Sequence, residues 1–186
     1  MSTAITPEVT ATTTWNIDPV HSTAQFKVKH MMISNVKGEF TAVTGKLNLN
    51  GEDITKSHVE ALIDAATINT RDAQRDAHLK SPDFLDVEKF PTLSFKATRI
   101  AKKGDDEITV AGDLTMHGVT RNVVFAVEGP SAPTKDPWGN LRVGLSASTR
   151  INRKDFGLTW NAALETGGIL VGDDVTLTLD IEFIKA

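Results

Sequence analysis

The feature that most constrains this chain is an alternation of apolar and polar residues that recurs from residue 23 to residue 183. The last alternating segment is the clearest, with single polar residues between the apolar side chains of Val175, Leu177, Leu179, Ile181 and Phe183. Successive side chains of a β-strand point to opposite faces, so this pattern indicates strands with one buried face. Most segments are separated by turns too short for a parallel crossover. We therefore predict an all-β protein with antiparallel strands.

About eight or nine such segments follow one another, with no internal repeat. Strands of this kind form either a closed barrel or a sandwich. The inward faces mix large and small side chains, as with Ala24 beside Phe26 and Gly112 between Val110 and Leu114. Small side chains suit the taper of a filled barrel, but they also leave room for one small ligand. The alternation alone favours the filled core, because most apolar stripes are simply core.

One long segment, residues 36–50, changes its alternation part-way. Phe40 has one parity, whereas Leu47 and Leu49 have the other. A change of this kind needs a β-bulge, and Gly45 is the natural position for it.

Residues 69–91 interrupt the strands with a helical pattern. Thr70 is predicted to cap the helix, with Asp72 in the first turn, where a carboxylate suits the helix dipole. Ser81 and Pro82 predict a second short helical turn. This insertion has two interpretations. The pattern alone favours a surface crossover that plugs one end of the sheet, and the alternative is a lid over a cavity.

Three basic residues, Arg71, Arg75 and Lys80, cluster in the insertion. They offer a site for an anionic head group, since arginine binds such groups in a bidentate geometry. The alternative is that they pair with the aspartates of the same segment, which match them in number.

Composition excludes several functional classes. The chain contains no cysteine, so it has neither disulfides nor a thiolate metal site. A net charge of −4 argues against nucleic acid as the main partner. No apolar run is long enough to span a membrane, and we expect no stable membrane insertion.

The N-terminus lacks the basic and apolar regions of a secretory signal. We predict a disordered lead at residues 1–13, followed by one domain at residues 14–186. We accordingly expect a cytoplasmic protein, or a periplasmic one if a signal has been removed.

Catalytic and metal-binding patterns are weak. No HExxH, HxH or GxSxG motif occurs. Asp18 and His21 have the spacing of a hydrogen-bonded pair around Pro19, which is more often structural than catalytic. The five histidines belong to separate segments: His21, His30, His58, His78 and His117. We expect no bound metal, no cofactor and no catalytic residue.

Six segments carry a more specific pattern. They are residues 15–40 (WNIDPVHSTAQFKVKHMMISNVKGEF), 70–86 (TRDAQRDAHLKSPDFLD), 90–95 (FPTLSF), 112–120 (GDLTMHGVT), 153–157 (RKDFG) and 171–177 (VGDDVTL). In sequence and in order they resemble the YceI-like family of polyisoprenoid-binding proteins. The resemblance implies a closed, lipocalin-like antiparallel barrel of about eight strands with a short helical insertion. It also implies a lumen that holds a polyisoprenoid or a related lipid or quinone. Some family members form dimers, so a homodimer is an expectation here.

This resemblance favours a carrier, storage or sequestering protein that is not an enzyme. Burial of each methylene contributes about 0.8 kcal/mol, so an apolar tunnel needs only a few polar contacts to orient the ligand's head. One alternative is an enzyme or processing factor that acts on an isoprenoid lipid or quinone through His21, His78 or His117. The other is a stress-related interaction module in which bound lipid is incidental.

The candidate ligand-binding residues fall into three groups. The large inward residues expected on the lumen wall are Phe26, Val28, Phe40, Phe95, Leu114, Met116, Val143 and Leu145. The residues expected at the ends of the lumen, where methionine suits an adaptable gate, are Met31, Met32, Phe84, Leu85, Phe156 and Trp160. The head-group candidates are Arg71, Arg75 and His78.

Overall fold

The computed structural model describes residues 11–186, most of which lie in β-strands. The strands are β1 (Thr12–Ile17), β2 (Thr23–His30), β3 (Ser34–Phe40), β4 (Val43–Asn50), β5 (His58–Asp64), β6 (Ile68–Asn69), β7 (Thr92–Lys102), β8 (Glu107–Met116), β9 (Val119–Glu128), β10 (Thr134–Lys135), β11 (Leu141–Asn152) and β12 (Val171–Lys185). The insertion contains the α-helix α1 (Ala73–Lys80). No helix in the described part of the chain is long and apolar enough to cross a membrane.

The N-terminal prediction is only partly covered by the structure. Thr12 and Thr13 belong to β1, so these two residues of the predicted disordered lead are in a strand. They pair with Asn50 and Leu49 of β4. The prediction for residues 1–10 lies outside the described residues.

The strands close an antiparallel barrel of eight strands, which confirms the predicted fold class. Two of the eight are bent: β1 continues into β2 after residues 18–22, and β3 continues into β4 after residues 41–42. Strand β12 closes the ring, because it pairs with β11 along its length, with β1 near its C-terminal end and with β2 near its N-terminal end. The other barrel strands are β5, β7, β8 and β9.

The change of alternation between β3 and β4 occurs at the bend rather than at Gly45. Phe40 and Val43 are both buried, on either side of residues 41–42. Thr67 Oγ1 accepts the backbone N–H groups of both bend residues, at 3.2 and 3.3 Å. Gly45 lies in regular pairing opposite Ala61, so the predicted bulge at Gly45 is wrong. Gly45 instead allows a close approach, because a Cβ atom there would lie 2.9 Å from Ala61 Cα.

The helix cap also differs from the prediction. Asp72 is the N-cap of α1, and its Oδ1 accepts the Arg75 N–H at 2.8 Å. Thr70 is buried and donates its N–H and its hydroxyl to Asp76 Oδ1, at 2.8 and 2.6 Å. The segment after Ser81 forms turns rather than a second helical turn. A carboxylate nearer the helix start replaces the hydroxyl that the sequence pattern favours.

The two ends of the barrel are packed differently. At one end, here called the base, Trp15, Val43, Val143 and Phe183 form a fully buried cluster. At the other end, the insertion and residues 153–171 lie beside Met116 in a second cluster. The cavity reaches from the base to this second end.

Candidate functional site

The barrel encloses a cavity of about 370 Å³, lined by apolar side chains from all eight strands. Strand β12 contributes its whole inward face, from Val175 to Phe183. Cavities of about 300–1,000 Å³ are typical of small-molecule sites. The small side chains of Ala24 and Ala147 are part of this lining. The structure therefore has a lumen instead of the filled core that the alternation alone favoured.

Most of the candidate ligand-binding residues lie on the wall of this cavity. These residues are Phe26, Val28, Phe40, Phe84, Leu85, Phe95, Leu114, Met116, Leu145 and Trp160, with the head-group candidates Arg75 and His78. Sequence reasoning missed several others. Leu158 and Leu170 come from an irregular loop, and Leu177, Leu179 and Ile181 belong to the clearest alternating segment, whose pattern alone does not separate a lumen from a core.

Five candidates lie away from the lining, for different physical reasons. Val143 shares the parity of Leu145, but it packs into the base cluster. Phe156 is buried in the 3-10 turn Arg153–Phe156, where its carbonyl lies 3.1 Å from His117 Nδ1. The remaining three are on the surface: Met31 and Met32 at a hairpin tip, and Arg71 in the insertion just before α1.

The insertion covers the end of the cavity opposite the base. His78, Phe84 and Trp160 pack together there, with ring centroids 4.7 Å apart for His78 and Trp160 and 5.1 Å apart for His78 and Phe84. His78 Nε2 also lies 2.9 Å from Asp83 Oδ2. This placement matches the second interpretation of residues 69–91, a lid over a cavity.

The loop between β11 and β12 completes this end, and Arg153 holds it in place. Arg153 is only 3% exposed. Its guanidinium donates to the carbonyls of Leu158 at 2.7 Å, Trp160 at 2.9 Å and Gly172 at 2.8 Å. Burial lowers the pKa of Arg153, but a guanidinium stays protonated in proteins. The cavity wall thus contains a buried positive charge, which has the Asp173 carboxylate 3.7 Å away.

The ionisable side chains that line the cavity are all basic. They are Lys29, His30, Arg75, His78 and Arg153. Among the described residues, no aspartate or glutamate contributes to the lining. The end that carries the exposed Lys29 and Arg75, here called the mouth, therefore favours a negatively charged or strongly polar group.

The predicted ion pairs of the insertion do not form within residues 11–186. Its aspartates are used differently: Asp72 caps α1, Asp76 accepts from Thr70, and Asp83 contacts His78. Arg75 instead donates through Nε to Thr70 Oγ1 and through Nη2 to the Thr70 carbonyl, both at 2.8 Å. These two bonds orient the Arg75 guanidinium at the mouth.

A family model described as a YceI-like domain matches residues 15–183 of the chain. The chain belongs to the YceI-like family. A relative of this YceI-like chain, a UPF0312 protein of Vibrio cholerae serotype O1, is 38% identical over 138 residues, which cover 74% of this chain and 72% of the relative.

Solved structures share the barrel of this YceI-like chain. BcnA of Burkholderia cenocepacia superposes with a TM-score of 0.76 at 19% identity, covering 89% of this chain and 98% of BcnA. A polyisoprenoid binding domain from Saccharophagus degradans gives a TM-score of 0.67 at 13% identity, covering 92% and 98% of the two chains. At these identities the likeness supports the fold alone.

A separate polar cluster lies near the base of the YceI-like barrel. Arg142 Nη1 donates to Asp18 Oδ2 at 2.7 Å and to Glu182 Oε1 at 2.6 Å, and its Nε donates to Asp136 Oδ2 at 2.7 Å. The predicted contact of Asp18 with His21 is present at 2.7 Å. Although Asp18, His21 and Glu182 are close enough to share a metal ion, the guanidinium already lies between the carboxylates. The cluster is therefore a structural ion-pair network.

The three histidines of the enzyme hypothesis lie in three different places. His21 belongs to the Arg142 cluster, and His117 packs against Phe90 with ring centroids 5.0 Å apart. Of these three, His78 is the one that lines the cavity within residues 11–186.

Proposed function

We propose that this protein binds the chain of a long apolar lipid, of the polyisoprenoid or related quinone type, inside the barrel and acts as a carrier, store or sequestering protein. The cavity of about 370 Å³, with its continuous apolar wall, is the observation that carries the proposal. The likeness to a polyisoprenoid binding domain of Saccharophagus degradans gives further support. Each buried methylene contributes about 0.8 kcal/mol, so tail burial alone supplies substantial affinity.

The polar end of the ligand is assigned to the mouth. Arg75 and His78 border the cavity there, and Arg71 lies just outside it on the same insertion. All the ionisable groups on the wall are basic, which favours a phosphate, a carboxylate or a carbonyl oxygen over a cationic head. Arg75, already oriented by Thr70, makes the main contact.

The first experiment is native mass spectrometry of the purified protein, followed by organic extraction and identification of any released lipid. Val28→Trp places a larger apolar side chain in the lumen while keeping the wall apolar. Val124→Trp is the matched control, because Val124 is exposed on the outer face of β9. We expect a lipid adduct on wild type and on Val124→Trp, and a strongly reduced adduct on Val28→Trp. Equal adducts on both variants would contradict binding in the lumen.

An enzyme acting on a bound lipid is the second candidate, because His78 faces the cavity and contacts Asp83. Turnover of an isoprenoid lipid by wild type that disappears in His78→Gln, with binding retained, would support the enzyme. A carrier instead returns its ligand chemically unchanged in both proteins.

A further inference from the structure

The hairpin between β2 and β3 exposes three consecutive apolar side chains at its tip. Met31, Met32 and Ile33 are 41%, 65% and 79% exposed. We call these three residues the hairpin tip. Isolated apolar residues are common on protein surfaces, whereas a contiguous exposed group often marks an interaction site.

The tip also carries an unfavourable backbone. Met31 and Met32 have φ values of 52° and 62°, and the turn is closed by the Ile33 N–H, which donates to the His30 carbonyl at 3.2 Å. Two consecutive positive φ values are typical of turns built from asparagine and glycine. Methionine is rare there because its Cβ atom crowds the backbone. Methionine is thus a less favourable choice in this turn than asparagine or glycine.

The strands that lead to the tip are basic. Lys27 lies directly opposite Lys37 across the hairpin, and Lys29 is two residues further along β2. No aspartate or glutamate occurs between residues 27 and 38. Like charges directly opposite each other destabilise a strand pair, and a negatively charged partner removes that cost.

The tip lies next to the mouth of the cavity. The Met31 N–H donates to the Leu170 carbonyl at 2.8 Å, and Leu170 lines the cavity. Lys29 and His30, at the end of β2, line it as well. A surface that contacts the tip therefore also faces the opening.

We propose that the hairpin tip docks this protein on an anionic lipid surface, with the three apolar side chains in the interface and Lys27, Lys29 and Lys37 among the head groups. Apolar anchors combined with basic residues are how peripheral segments bind such membranes without spanning them. Docking in this orientation turns the mouth toward the bilayer. The docking proposal goes beyond the lipid-binding proposal. It rests on lipid binding only for the transfer of a ligand between the membrane and the lumen.

The first test is sedimentation with vesicles of phosphatidylcholine alone and of phosphatidylcholine mixed with phosphatidylglycerol. The double variant Met31→Asn/Met32→Gly puts the preferred residues into the turn. We expect it to melt at the same or a higher temperature than wild type, yet to bind the mixed vesicles at least about tenfold more weakly, because two anchors are lost. Val20→Asn is the matched control, because Val20 is 83% exposed but lies in the turn after β1.

The second test addresses the charges. Lys27→Gln/Lys37→Gln removes the facing lysines and is expected to weaken binding to the mixed vesicles about fivefold or more for each lysine near the surface, without loss of thermal stability. A raised salt concentration is expected to weaken the binding of wild type to the mixed vesicles in the same way. Lys102→Gln/Lys103→Gln, at the far end of β7, is the control and is expected to bind like wild type.

Several outcomes would overturn the docking proposal. It fails if wild type does not bind mixed vesicles, if the tip variants bind them as well as wild type does, or if neutral vesicles bind equally well. It also fails if wild type forms a dimer that the tip variant abolishes, since the tip would then be a contact between copies. Native mass spectra of the same variants separate this failure from that of the lipid-binding proposal, since a tip variant that no longer docks still retains its lipid adduct.

Discussion

At the scale of single residues, Arg142 shows how one side chain organises the polar cluster near the base of the barrel. Its guanidinium contacts three carboxylates that come from the turn after β1, the loop before β11 and strand β12. The hydrogen bond from Arg142, and then the contact with His21, lowers the pKa of Asp18 to about 2. Arg142 likewise lowers the pKa of Asp136.

These lowered pKa values predict how stability depends on pH. A carboxyl group whose folded pKa lies below its ordinary value of 3.8 stabilises the fold above that value, and this contribution is lost as the pH falls toward 2. We expect the free energy of unfolding, measured in urea between pH 5 and pH 2, to fall less steeply in Asp18→Asn than in wild type. Asp105→Asn, in the turn between β7 and β8, is the control. An unchanged slope in Asp18→Asn would show that the Arg142 contact does not persist in solution.

At the scale of elements, the mouth is built from irregular segments that side chains fasten to the barrel. Asn161 donates to the Val171 carbonyl at 2.7 Å and accepts the Val171 N–H at 3.0 Å. Arg153 donates to the carbonyls of Leu158 and Trp160 at one side of the same loop and to the Gly172 carbonyl at the other. Residues 157–170 lie outside the named strands, so side-chain bonds such as these add to the few backbone bonds that hold the loop.

Arg153→Met is therefore expected to loosen this loop. Buried carbonyls would lose a charged donor, so we expect a loss of about 3 kcal/mol of stability. Faster hydrogen exchange should be concentrated at residues 158–172, together with faster release of a bound lipid. Arg150→Met is the matched control, because that side chain is mostly exposed on β11, shortly before Arg153. A uniform change over the whole barrel would argue against a local fastening role.

At the scale of the whole molecule, the lumen limits how much the barrel stabilises itself. The side chains that face about 370 Å³ of cavity lack the contacts that a filled core would give them. A ligand that fills the lumen supplies those contacts and binds only the folded state.

Removal of the ligand is accordingly expected to lower the melting temperature. At a free ligand concentration of 100 times Kd the stabilisation is about 2.7 kcal/mol. This corresponds to about 5–10 °C in a domain of this size. Calorimetry before and after organic extraction, and after addition of a long and a short isoprenoid alcohol, measures the effect. The long alcohol should restore more of the lost melting temperature than the short one does. Identical melting temperatures in every sample would contradict occupancy of the lumen.

Several features could be predicted from local pattern alone. The alternation around Phe26 and from Val175 to Phe183 indicated antiparallel strands, and the change of period at residues 69–91 indicated the helical insertion. These predictions succeeded because side-chain direction and turn length are set by the nearest few residues. Six segments in order also identified the family.

The rest was decided by contacts across the barrel. Val143 and Leu145 share a parity, but one is packed into the base cluster and the other lines the lumen. The sequence did not mark Arg153 as a wall residue, because its partners are backbone carbonyls of an irregular loop and of Gly172 beyond that loop. Whether an inward face meets other side chains or open space depends on the strands opposite it. The alternation within one strand carries no information about those strands. The chain's alternation thus determined the strands, whereas barrel closure decided that they surround a cavity and which residues reach it.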